Sequence, residues 1–258
     1  MCIFSSIIIT KLAKLVVILW VNRKIMVQII NFVFGNYRER CYICFDKEFR
    51  EAVIVDPGAS AGEELESIYG LVEKEGLSIK AIALTHCHFD HIYGVKALQE
   101  RYGAPVYMHP ADERLLELMQ RECGRFHMPL PDTTFTRCHI ASGEKIAVRG
   151  VTLEVIETPG HTLGSMCFHD KDAKIIFTGD TLFAGAIGRT DFDYGDYDKL
   201  IVGIIDRLMG LDADTAVFPG HGHSTTIGEE RTHNPFLQPF NEKYTDTDEV
   251  EGIEINGQ

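Results

Sequence analysis

The chain of 258 residues lacks any block rich in lysine and arginine, and its 38 acidic residues outnumber its 25 basic residues, giving a formal net charge of −13. A surface of this sign repels phosphate backbones, which argues against a nucleic-acid partner. It does not exclude a small anionic substrate, because metal cations and a local arginine can dominate the potential inside a pocket. The rest of the composition, 45% hydrophobic and 24% charged, is that of an ordinary globular domain.

A dense, even set of cysteines is also absent. Seven cysteines are scattered between Cys2 and Cys167, whereas a disulfide framework would be even in number and closer in spacing. We therefore expect reduced thiols and a cytoplasmic location. Cys41 and Cys44 form a C-x-x-C pair, but they lie in a predicted strand, where positions three apart point to opposite faces. This pair is not expected to bind a metal or to act as a redox centre.

No apolar run is long enough to span a bilayer. Lys11 and Lys14 interrupt the apolar residues 1–25, and the clean run from Leu15 to Val21 is too short for a transmembrane helix. The segment also lacks the pattern of a secretory signal. The alternative of a membrane anchor, in which Lys11 and Lys14 extend their side chains to the surface of the bilayer, stays open. We favour an extension outside the fold, with the domain at residues 26–243, a loose acidic tail at 244–258 and no membrane partner.

The distribution of apolar and turn residues predicts a mixed α/β chain without an internal repeat. Strands are predicted at Val27–Phe34, Asn36–Phe45, Ala52–Asp56, Ala81–Leu84, Val106–Met108, Lys145–Glu157 (two strands about Arg149-Gly150), Ser165–His169, Lys174–Thr178 and Thr215–Phe218. Helices are predicted at Gly62–Glu75, Gly94–Tyr102, Ala111–Glu122, Tyr197–Met209 and after a capping box at Thr226–Glu229, with an irregular segment at Phe126–Ile140. Strands in runs with interspersed helices favour an α/β sandwich of mixed sheets.

The strongest functional signal is the segment T-H-C-H-F-D-H at residues 85–91, which directly follows a short apolar run. Imidazole and carboxylate groups are common ligands of transition metals. His86 and His88 share a face and can hold one ion. Asp90 and His91 then fall beside a second ion, where the chain turns into a helix. Nitrogen and oxygen ligands without thiolates are typical of an open, catalytic site.

Three later turns each present one ligand-type side chain after a predicted strand. In each of them glycine permits an unusual turn just before the ligand-type residue, which is His161, Asp180 or His221. One such turn is a weak indication, but three of them form a constellation with the upstream histidines. Cys87, inside the histidine motif, is interpreted as a spacer whose side chain points away from the ion.

The order T-H-x-H-x-D-H, P-G-H-T, G-D-T and P-G-H-G resembles the metallo-β-lactamase superfamily over roughly residues 27–240. The resemblance implies a four-layer αβ/βα sandwich of two mixed β-sheets flanked by helices. It also implies two divalent metal ions, with zinc expected first and iron or manganese as alternatives. The first ion would be held by His86, His88 and His161, the second by Asp90, His91 and His221, with Asp180 bridging both and with a catalytic role for Asp90.

Within that superfamily the chain most resembles single-domain bacterial type II glyoxalases, which are hydroxyacylglutathione hydrolases. The stretches that carry this likeness are D-T-L-F from Asp180, G-R-T-D from Gly188, T-x-x-E-E-R from Thr226 and N-P-F from Asn234. The likeness implies hydrolysis of S-D-lactoylglutathione or a related small-molecule thioester by a metal-bridging hydroxide. It agrees with the absence of a G-x-S-x-G nucleophile elbow.

The substrate's thiol stays open, because two-domain type II glyoxalases bind glutathione partly through a C-terminal helical domain, and the segment after His221 is too short for one. Arg189 is the candidate substrate-binding cation. A structural salt bridge from Arg189 to Asp191 or Asp193 is the alternative interpretation. Tyr194, His127 and His223 are weaker candidates for the pocket wall.

Two other reactions stay open at this point. G-R-T-D from Gly188 and E-E-R-x-x-N-P from Glu229 also resemble persulfide dioxygenases, which use one iron ion. An iron-dependent persulfide dioxygenase is therefore one alternative, although P-G-H-G resembles the hydrolase version of its motif. A lactonase or another ester hydrolase of the same fold is the second alternative. The oligomeric state has no signal in the sequence.

Overall fold

A computed structural model describes residues 27–60 and 62–238. The expectations for an N-terminal extension at residues 1–25 and an acidic tail at 244–258 fall outside the described residues. Among the residues that are described, no helix combines the length and the apolar character needed to cross a membrane.

The first sheet is mixed and contains six strands in their chain order. They are β1 (Val27–Phe34), β2 (Glu39–Asp46), β3 (Glu51–Val55), β4 (Ser78–Ala83), β5 (Val106–Met108) and β6 (Arg137–His139). β1, β2 and β3 are antiparallel neighbours, whereas β3, β4, β5 and β6 are parallel. The parallel strand β4 lies inside the sheet, and it leads directly into the histidine motif.

The second sheet has the strand order β14-β13-β10-β9-β8-β7. Its strands are β7 (Lys145–Val148), β8 (Val151–Glu157), β9 (Met166–Asp170), β10 (Ile175–Gly179), β13 (Ala216–Pro219) and β14 (Thr225–Thr226). A separate two-stranded ribbon consists of β11 (Leu182–Phe183) and β12 (Ala186–Ile187). Only the pair β10–β13 is parallel in this sheet.

Helices connect the strands and cover the outer faces of both sheets. They are α1 (Glu63–Glu75), α2 (Phe89–Ile92), α3 (Val95–Tyr102), α4 (Glu113–Glu117), α5 (Met119–Phe126), α6 (Tyr197–Gly203) and α7 (Ile227–His233). At the start of α7 the Thr226 hydroxyl accepts a hydrogen bond from the Glu229 amide at 3.1 Å. This bond confirms the helix start predicted at the capping box.

Three hydrophobic clusters give the order of the layers. The middle cluster lies between the two sheets, where Tyr42 of the first packs against Phe177 of the second. A second cluster joins the outer face of the first sheet to α1, α3 and α5 and includes Ile68. A third joins the second sheet to α6 and α7 and includes Leu200. The layers follow in the order helices, sheet, sheet, helices, which confirms the predicted four-layer sandwich.

Cys41 and Cys44 take opposite faces of β2. Cys41 belongs to the cluster on the helix side, and Cys44 belongs to the cluster between the sheets. Both are free, and burial raises the pKa of both thiols well above the ordinary value. The C-x-x-C pair therefore forms no joint site, as the strand pattern predicted.

Three predicted elements have different boundaries in the structure. The strand predicted at Asn36–Phe45 begins only at Glu39, because Gly35 and Arg38 have φ angles of +60° and +57° and form a turn. The helix predicted at Ala111–Glu122 is a 3-10 turn followed by α4 and α5, and it extends to Phe126. The helix predicted at Tyr197–Met209 becomes a π-helical turn at Ile204–Leu208.

Short strands escaped prediction. β6 lies within the segment Phe126–Ile140, which was predicted to be irregular, and the ribbon of β11 and β12 had no counterpart among the predicted strands. Strands of two or three residues show too little periodicity to be read from sequence. Their pairing partners define them, and those partners are distant in the chain for β6, which pairs with β5.

Candidate metal centre

Three strands of the second sheet end at the same edge. β8 and β10 are both antiparallel to β9, and β13 is parallel to β10, so β8, β10 and β13 point in one direction. The turns that follow them present His161, Asp180 and His221. Backbone hydrogen bonds join this edge to the first sheet, from the Met166 amide to the Thr85 carbonyl at 2.9 Å and from the Arg40 amide to the Gly220 carbonyl at 2.8 Å. The histidine motif after β4 therefore faces these three turns.

His86, His88 and His161 form the first ligand group, and all three are buried. His88 Nδ1 lies 2.9 Å from His161 Nε2. The ring centroid of His86 lies 4.8 Å from that of His88 and 4.9 Å from that of His161. One nitrogen of each ring lies within 4.8 Å of the others. Three nitrogens this close together could serve as ligands of one metal ion.

Asp90, His91 and His221 form a second group beside the first. His221 Nε2 lies 3.3 Å from His91 Nε2 and 3.5 Å from Asp90 Oδ2. Asp90 and His91 lie in the short helix α2, which begins directly after His88.

Asp180 lies between the two groups. Its Oδ2 is 3.4 Å from His161 Nε2 in the first group and 3.6 Å from His221 Nε2 in the second, and its Oδ1 is 3.5 Å from His91 Nε2. The structure thus brings all seven predicted side chains together, with Asp180 where a bridging ligand would stand. Their roles as metal ligands remain predictions.

In each imidazole of the centre, one nitrogen points away from the centre and contacts a neighbouring polar group. The partners are the Thr85 hydroxyl for His86 Nδ1 (3.1 Å), the Tyr194 hydroxyl for His88 Nε2 (2.9 Å), Asp56 Oδ2 for His91 Nδ1 (3.1 Å), the Arg189 carbonyl for His161 Nδ1 (2.8 Å) and the Tyr37 carbonyl for His221 Nδ1 (3.0 Å). Such partners fix the tautomer and the orientation of metal-binding histidines. The opposite nitrogens all point toward the common centre.

Three polar atoms of the centre are buried without a hydrogen-bond partner among the described residues. His91 Nδ1 has only its ion-pair contact with Asp56, whereas His86 Nε2 and Asp180 Oδ1 face the centre. A buried polar atom that lacks a partner costs free energy, and natural proteins seldom leave one without a reason. A nitrogen lone pair and a carboxylate oxygen that face the same space are suitable donors for a cation. The residues present therefore fit a dinuclear metal site of nitrogen and oxygen ligands.

The charge states around the centre agree with that interpretation. Burial, followed by the neighbouring histidines, lowers the pKa of His86 and His88 well below the ordinary value, which leaves lone pairs free. Burial opposes protonation of His91 as well, but Asp180, Asp90 and Asp56 outweigh it and raise the pKa of His91. Burial would raise the pKa of Asp180, yet the surrounding histidines lower it. Neutral His86 and His88 and an ionised Asp180 are the protonation states in which these groups can donate to a cation.

Asp56 is a site residue that sequence reasoning missed. It was read only as part of the turn D-P-G, but its Oδ1 accepts from the Thr85 amide at 2.7 Å and its Oδ2 accepts from the Thr85 hydroxyl at 2.6 Å. Asp56 also stands close to His86 and His91 as a potential ligand. Because both of its oxygens are already occupied by Thr85, we assign it to positioning the motif. Its left-handed φ of +47°, unusual for a residue other than glycine, has no signal in the sequence.

Asp112 is a second residue that sequence reasoning missed. It is buried, and it accepts hydrogen bonds from the Cys87 amide (2.9 Å), the Thr162 hydroxyl (3.1 Å) and the Gly164 amide (2.7 Å). One carboxylate thereby ties the histidine motif to the turn that carries His161. The Cys87 side chain points away into the hydrophobic cluster on the helix side, as predicted, with its Sγ 4.0 Å from Met108 Sδ.

A pocket of about 450 Å³ opens above the two ligand groups. Its wall is rich in aromatic side chains and includes one arginine: Tyr37, Phe89, Phe126, Phe183, Phe192, Ala186, Ile187 and Arg189, beside His88, Asp90, His161, Asp180 and His221. The Arg189 guanidinium lies 4.7 Å from the centroid of the Phe192 ring. The pocket can therefore hold a small molecule with apolar parts against the metal ligands.

Arg189 lines this pocket and also forms the salt bridge that was its alternative interpretation. Its Nε and Nη2 donate to the two carboxylate oxygens of Asp191 at 2.7 and 2.6 Å. Of the weaker candidates, His223 is exposed, and His127 lines a neighbouring cavity rather than this pocket. Tyr194 does not line this pocket, but its hydroxyl contacts His88 and its ring stacks on Phe192 of the pocket wall.

Comparisons with known proteins agree with the fold. The sequence profile of the Metallo-beta-lactamase superfamily matches residues 47–221. An uncharacterised protein of Mycobacterium tuberculosis is 40% identical over 225 residues, which cover 81% of this chain and 97% of the relative. The hydroxyacylglutathione hydrolase GloC of Haemophilus influenzae is 37% identical over 207 residues, which cover 78% of this chain and 93% of GloC.

Solved structures of the metallo-beta-lactamase fold are also similar to this chain. The B3 metallo-beta-lactamase BLEG-1 is 34% identical with a TM-score of 0.74, over 81% of this chain and 99% of that one. The protein TTHA1623, solved in a di-iron-bound form, is 34% identical with a TM-score of 0.71, over 81% and 100%. ETHE1 from Myxococcus xanthus is 27% identical with a TM-score of 0.65, over 80% and 83%. By its sequence profile, its fold and its full set of clustered histidines and aspartates, this chain belongs to the metallo-beta-lactamase superfamily.

Proposed function

We propose that the protein is a metal-dependent hydrolase that cleaves a small thioester such as S-D-lactoylglutathione. The observation that carries the proposal is the convergence of seven nitrogen and oxygen donors, in which each imidazole is oriented by a polar group on its far side. Similarity to the hydroxyacylglutathione hydrolase GloC, at 37% identity, supports the choice of thioester.

In this proposal His86, His88 and His161 hold one cation, Asp90, His91 and His221 hold the other, and Asp180 contacts both. When bound, two divalent cations lower the pKa of water toward neutrality and polarise a carbonyl oxygen. The protein contributes rigid ligands. Because polar partners contact the rings and Asp112 ties the histidine motif to the turn that carries His161, little reorganisation is needed during the reaction.

The aromatic pocket is the proposed substrate site. The walls formed by Phe126, Phe183 and Phe192 can pack against the apolar parts of an acyl or thiol group. Arg189 is the proposed contact for a carboxylate on the thiol. Because Asp191 already pairs with Arg189, we expect a modest contribution to binding from this arginine. The proposed partner is thus a small molecule, and a cytoplasmic location remains a prediction.

Zinc is the proposed metal, because imidazole-rich sites with carboxylates accept it readily. The same donors accept iron, and the related protein TTHA1623 was solved with two iron ions. The metal content of the purified protein therefore has to be measured before any activity is assigned.

The proposal is tested by assaying protein of known metal content against a panel of substrates. We expect two metal ions per chain and thioester cleavage that depends on them, with S-D-lactoylglutathione or another acyl thioester as the best substrate. Protein that holds two metal ions and cleaves none of the thioesters would overturn the choice of reaction. Protein that binds no transition metal would overturn the proposal as a whole.

An iron-dependent persulfide dioxygenase is the first alternative, and the structural likeness to ETHE1 keeps it in the test. That reaction would need one iron ion rather than two metal ions. Asp90 and His221 complete a second ligand group here, which favours the two-metal hydrolase. Oxygen uptake with glutathione persulfide, together with one iron ion per chain, would select the alternative.

An ester or lactam hydrolase of the same fold is the second alternative. This chain aligns with nearly the whole length of the B3 metallo-beta-lactamase BLEG-1 at 34% identity. A lactone and nitrocefin therefore belong in the substrate panel. Their cleavage at a higher kcat/KM than any thioester would move the assignment to this class.

A further inference from the structure

Tyr194 stands outside the proposed ligand set but touches it. It lies in the segment between β12 and α6, half-buried, with its ring stacked on Phe192 at a centroid distance of 5.2 Å and an interplanar angle of 12°. Its hydroxyl lies 2.9 Å from His88 Nε2. Stacking holds the ring, so the hydroxyl has a defined position beside the histidine.

The Tyr194 hydroxyl also donates to Glu122, at 3.3 Å from Oε2. Glu122 is 1% exposed, and its other oxygen accepts from Arg121 Nε at 3.1 Å and from Arg121 Nη2 at 3.0 Å. The single hydroxyl proton of the tyrosine is therefore committed to Glu122. Only a lone pair of the Tyr194 oxygen remains for His88, which must donate from Nε2.

The direction of this hydrogen bond determines which nitrogen of His88 can bind a cation. If Nε2 carries the proton, Nδ1 carries the lone pair in the neutral ring. Nδ1 is the nitrogen that lies 2.9 Å from His161 Nε2, inside the first ligand group. The hydrogen bonds from Tyr194 to Glu122 and from His88 to Tyr194 thus leave the lone pair of His88 on Nδ1, the atom that would bind the first cation.

The same segment also orients a second ligand of this group. The Arg189 carbonyl lies 2.8 Å from His161 Nδ1. The segment is anchored at its far end by the Asp196 amide, which donates to the Gly160 carbonyl at 2.7 Å. Two of the three ligands of the first cation are therefore oriented from residues 189–194, which also contribute Arg189 and Phe192 to the pocket wall.

We propose that Tyr194, anchored by Glu122, is a positioning residue that holds His88 in the tautomer needed to bind the first metal ion through Nδ1. This proposal rests on the metal centre proposed above. It assigns to Tyr194 a role in metal affinity at one of the two positions, while the position of Asp90, His91 and His221 does not depend on it.

The test is a zinc titration of metal-free protein against a chromophoric chelator. Wild type is expected to bind two zinc ions. Tyr194→Phe removes only the hydroxyl, and we expect one of the two dissociation constants to rise about 10- to 100-fold while the other stays unchanged. Glu122→Gln turns one of the two carboxylate oxygens into an amide that donates, so Arg121 and the Tyr194 hydroxyl must share one acceptor, and we expect the same dissociation constant to rise by less than in Tyr194→Phe.

Tyr197→Phe is the matched control, because Tyr197 is 50% exposed and starts α6 three residues away. It should leave both dissociation constants at the wild-type values. Wild-type constants in Tyr194→Phe would overturn the inference, and so would an equal rise of both. Failure of wild type to bind zinc would instead overturn the metal centre itself.

A measurement on the wild type decides the matter even if Tyr194→Phe does not fold. In zinc-loaded protein labelled with nitrogen-15, the His88 ring should show a metal-bound Nδ1 and a protonated Nε2 whose hydrogen exchanges slowly. A His88 ring bound to zinc through Nε2, or an Nε2 hydrogen that exchanges at the rate of a solvent-exposed histidine, contradicts the proposed contact.

Discussion

At the scale of single residues, Asp56 connects the two ends of the histidine motif. It receives two hydrogen bonds from Thr85, just before His86, and lies 3.1 Å from Nδ1 of His91 at the other end of the motif. One buried carboxylate therefore holds the backbone before His86 and contacts a predicted ligand of the second group. The sequence shows it only as the first residue of a turn.

We predict that Asp56→Asn weakens zinc binding by about 10- to 100-fold, because one side-chain oxygen becomes an amide that donates where His91 needs an acceptor. The affected ion should be the one associated with His91, in contrast to the effect of Tyr194→Phe. Zinc titration measures the change. Asp46→Asn is the control, since Asp46 is also buried and accepts from the Glu48 and Phe49 amides in a turn that holds none of the predicted ligands. Equal effects of the two substitutions would contradict the assigned role.

A second prediction concerns the pair of Arg189 and Asp191. The Arg189 guanidinium lowers the pKa of Asp191 to about 2, so the pair persists at neutral pH and is lost only as the pH falls toward that value. Asp191→Asn releases the arginine, and we expect the KM for S-D-lactoylglutathione to fall about two- to fivefold, equally at pH 5 and pH 8. Arg189→Ala should raise this KM. Asp193→Asn is the control because Asp193 pairs with Arg121. An unchanged KM in both variants would remove Arg189 from the substrate site.

At the scale of the elements, the turns after the strands matter as much as the ligands they carry. Gly220 follows β13, and a Cβ atom added to it would collide with Asp180 Oδ1 and lie 2.7 Å from His91 Cε1. Only glycine lets the backbone of this turn approach both ligands so closely. Gly220, which was predicted from the sequence to permit an unusual turn, is therefore also needed because no larger residue fits between Asp180 and His91.

We predict that Gly220→Ala lowers kcat/KM by about a hundredfold, because displacing Asp180 and His91 by a fraction of an ångström to an ångström misplaces the reacting groups. The zinc content should fall below two ions per chain. Gly210→Ala is the control, since a Cβ atom at Gly210 would meet no heavy atom within 4 Å. Wild-type zinc content and activity in Gly220→Ala would show that the site tolerates this displacement.

At the scale of the whole molecule, the site joins the two sheets. The histidine motif follows the first sheet, whereas His161, Asp180 and His221 follow strands of the second. Cations held by both groups would bind the folded chain and not the unfolded one, so their binding free energy would add to the stability of the fold.

We therefore predict that a chelator lowers the thermal midpoint. At a free zinc concentration 100 times the dissociation constant, one bound ion adds about 2.7 kcal/mol, which corresponds to a shift of about 5–10 °C in a domain of this size. Differential scanning calorimetry with and without chelator measures it. Asp180→Asn, which weakens both proposed positions, should show a smaller shift. An unchanged midpoint after verified removal of zinc from the wild type would exclude this stabilising role.

Much of the fold and the residues of the candidate site could be predicted from the sequence, because both depend on local patterns. Apolar β-branched runs predicted the long strands, and the three histidines within residues 86–91 predicted a metal site. The termini of the helix around Met119, the π-helical turn after Gly203 and the short strand β6 could not be read, since pairing and packing with distant segments decide them.

The sequence by itself determined the chemistry of the donors: imidazole and carboxylate groups placed after strands, with glycine before the later ones. Only the tertiary structure decided how each ring is oriented, because Asp56, Tyr194 and the carbonyls of Arg189 and Tyr37 reach the histidines from segments far away in the chain. A hydrogen bond depends on direction and on a distance of about 3 Å. Both quantities are set only when the fold brings distant segments together, so the amino-acid sequence alone does not specify them.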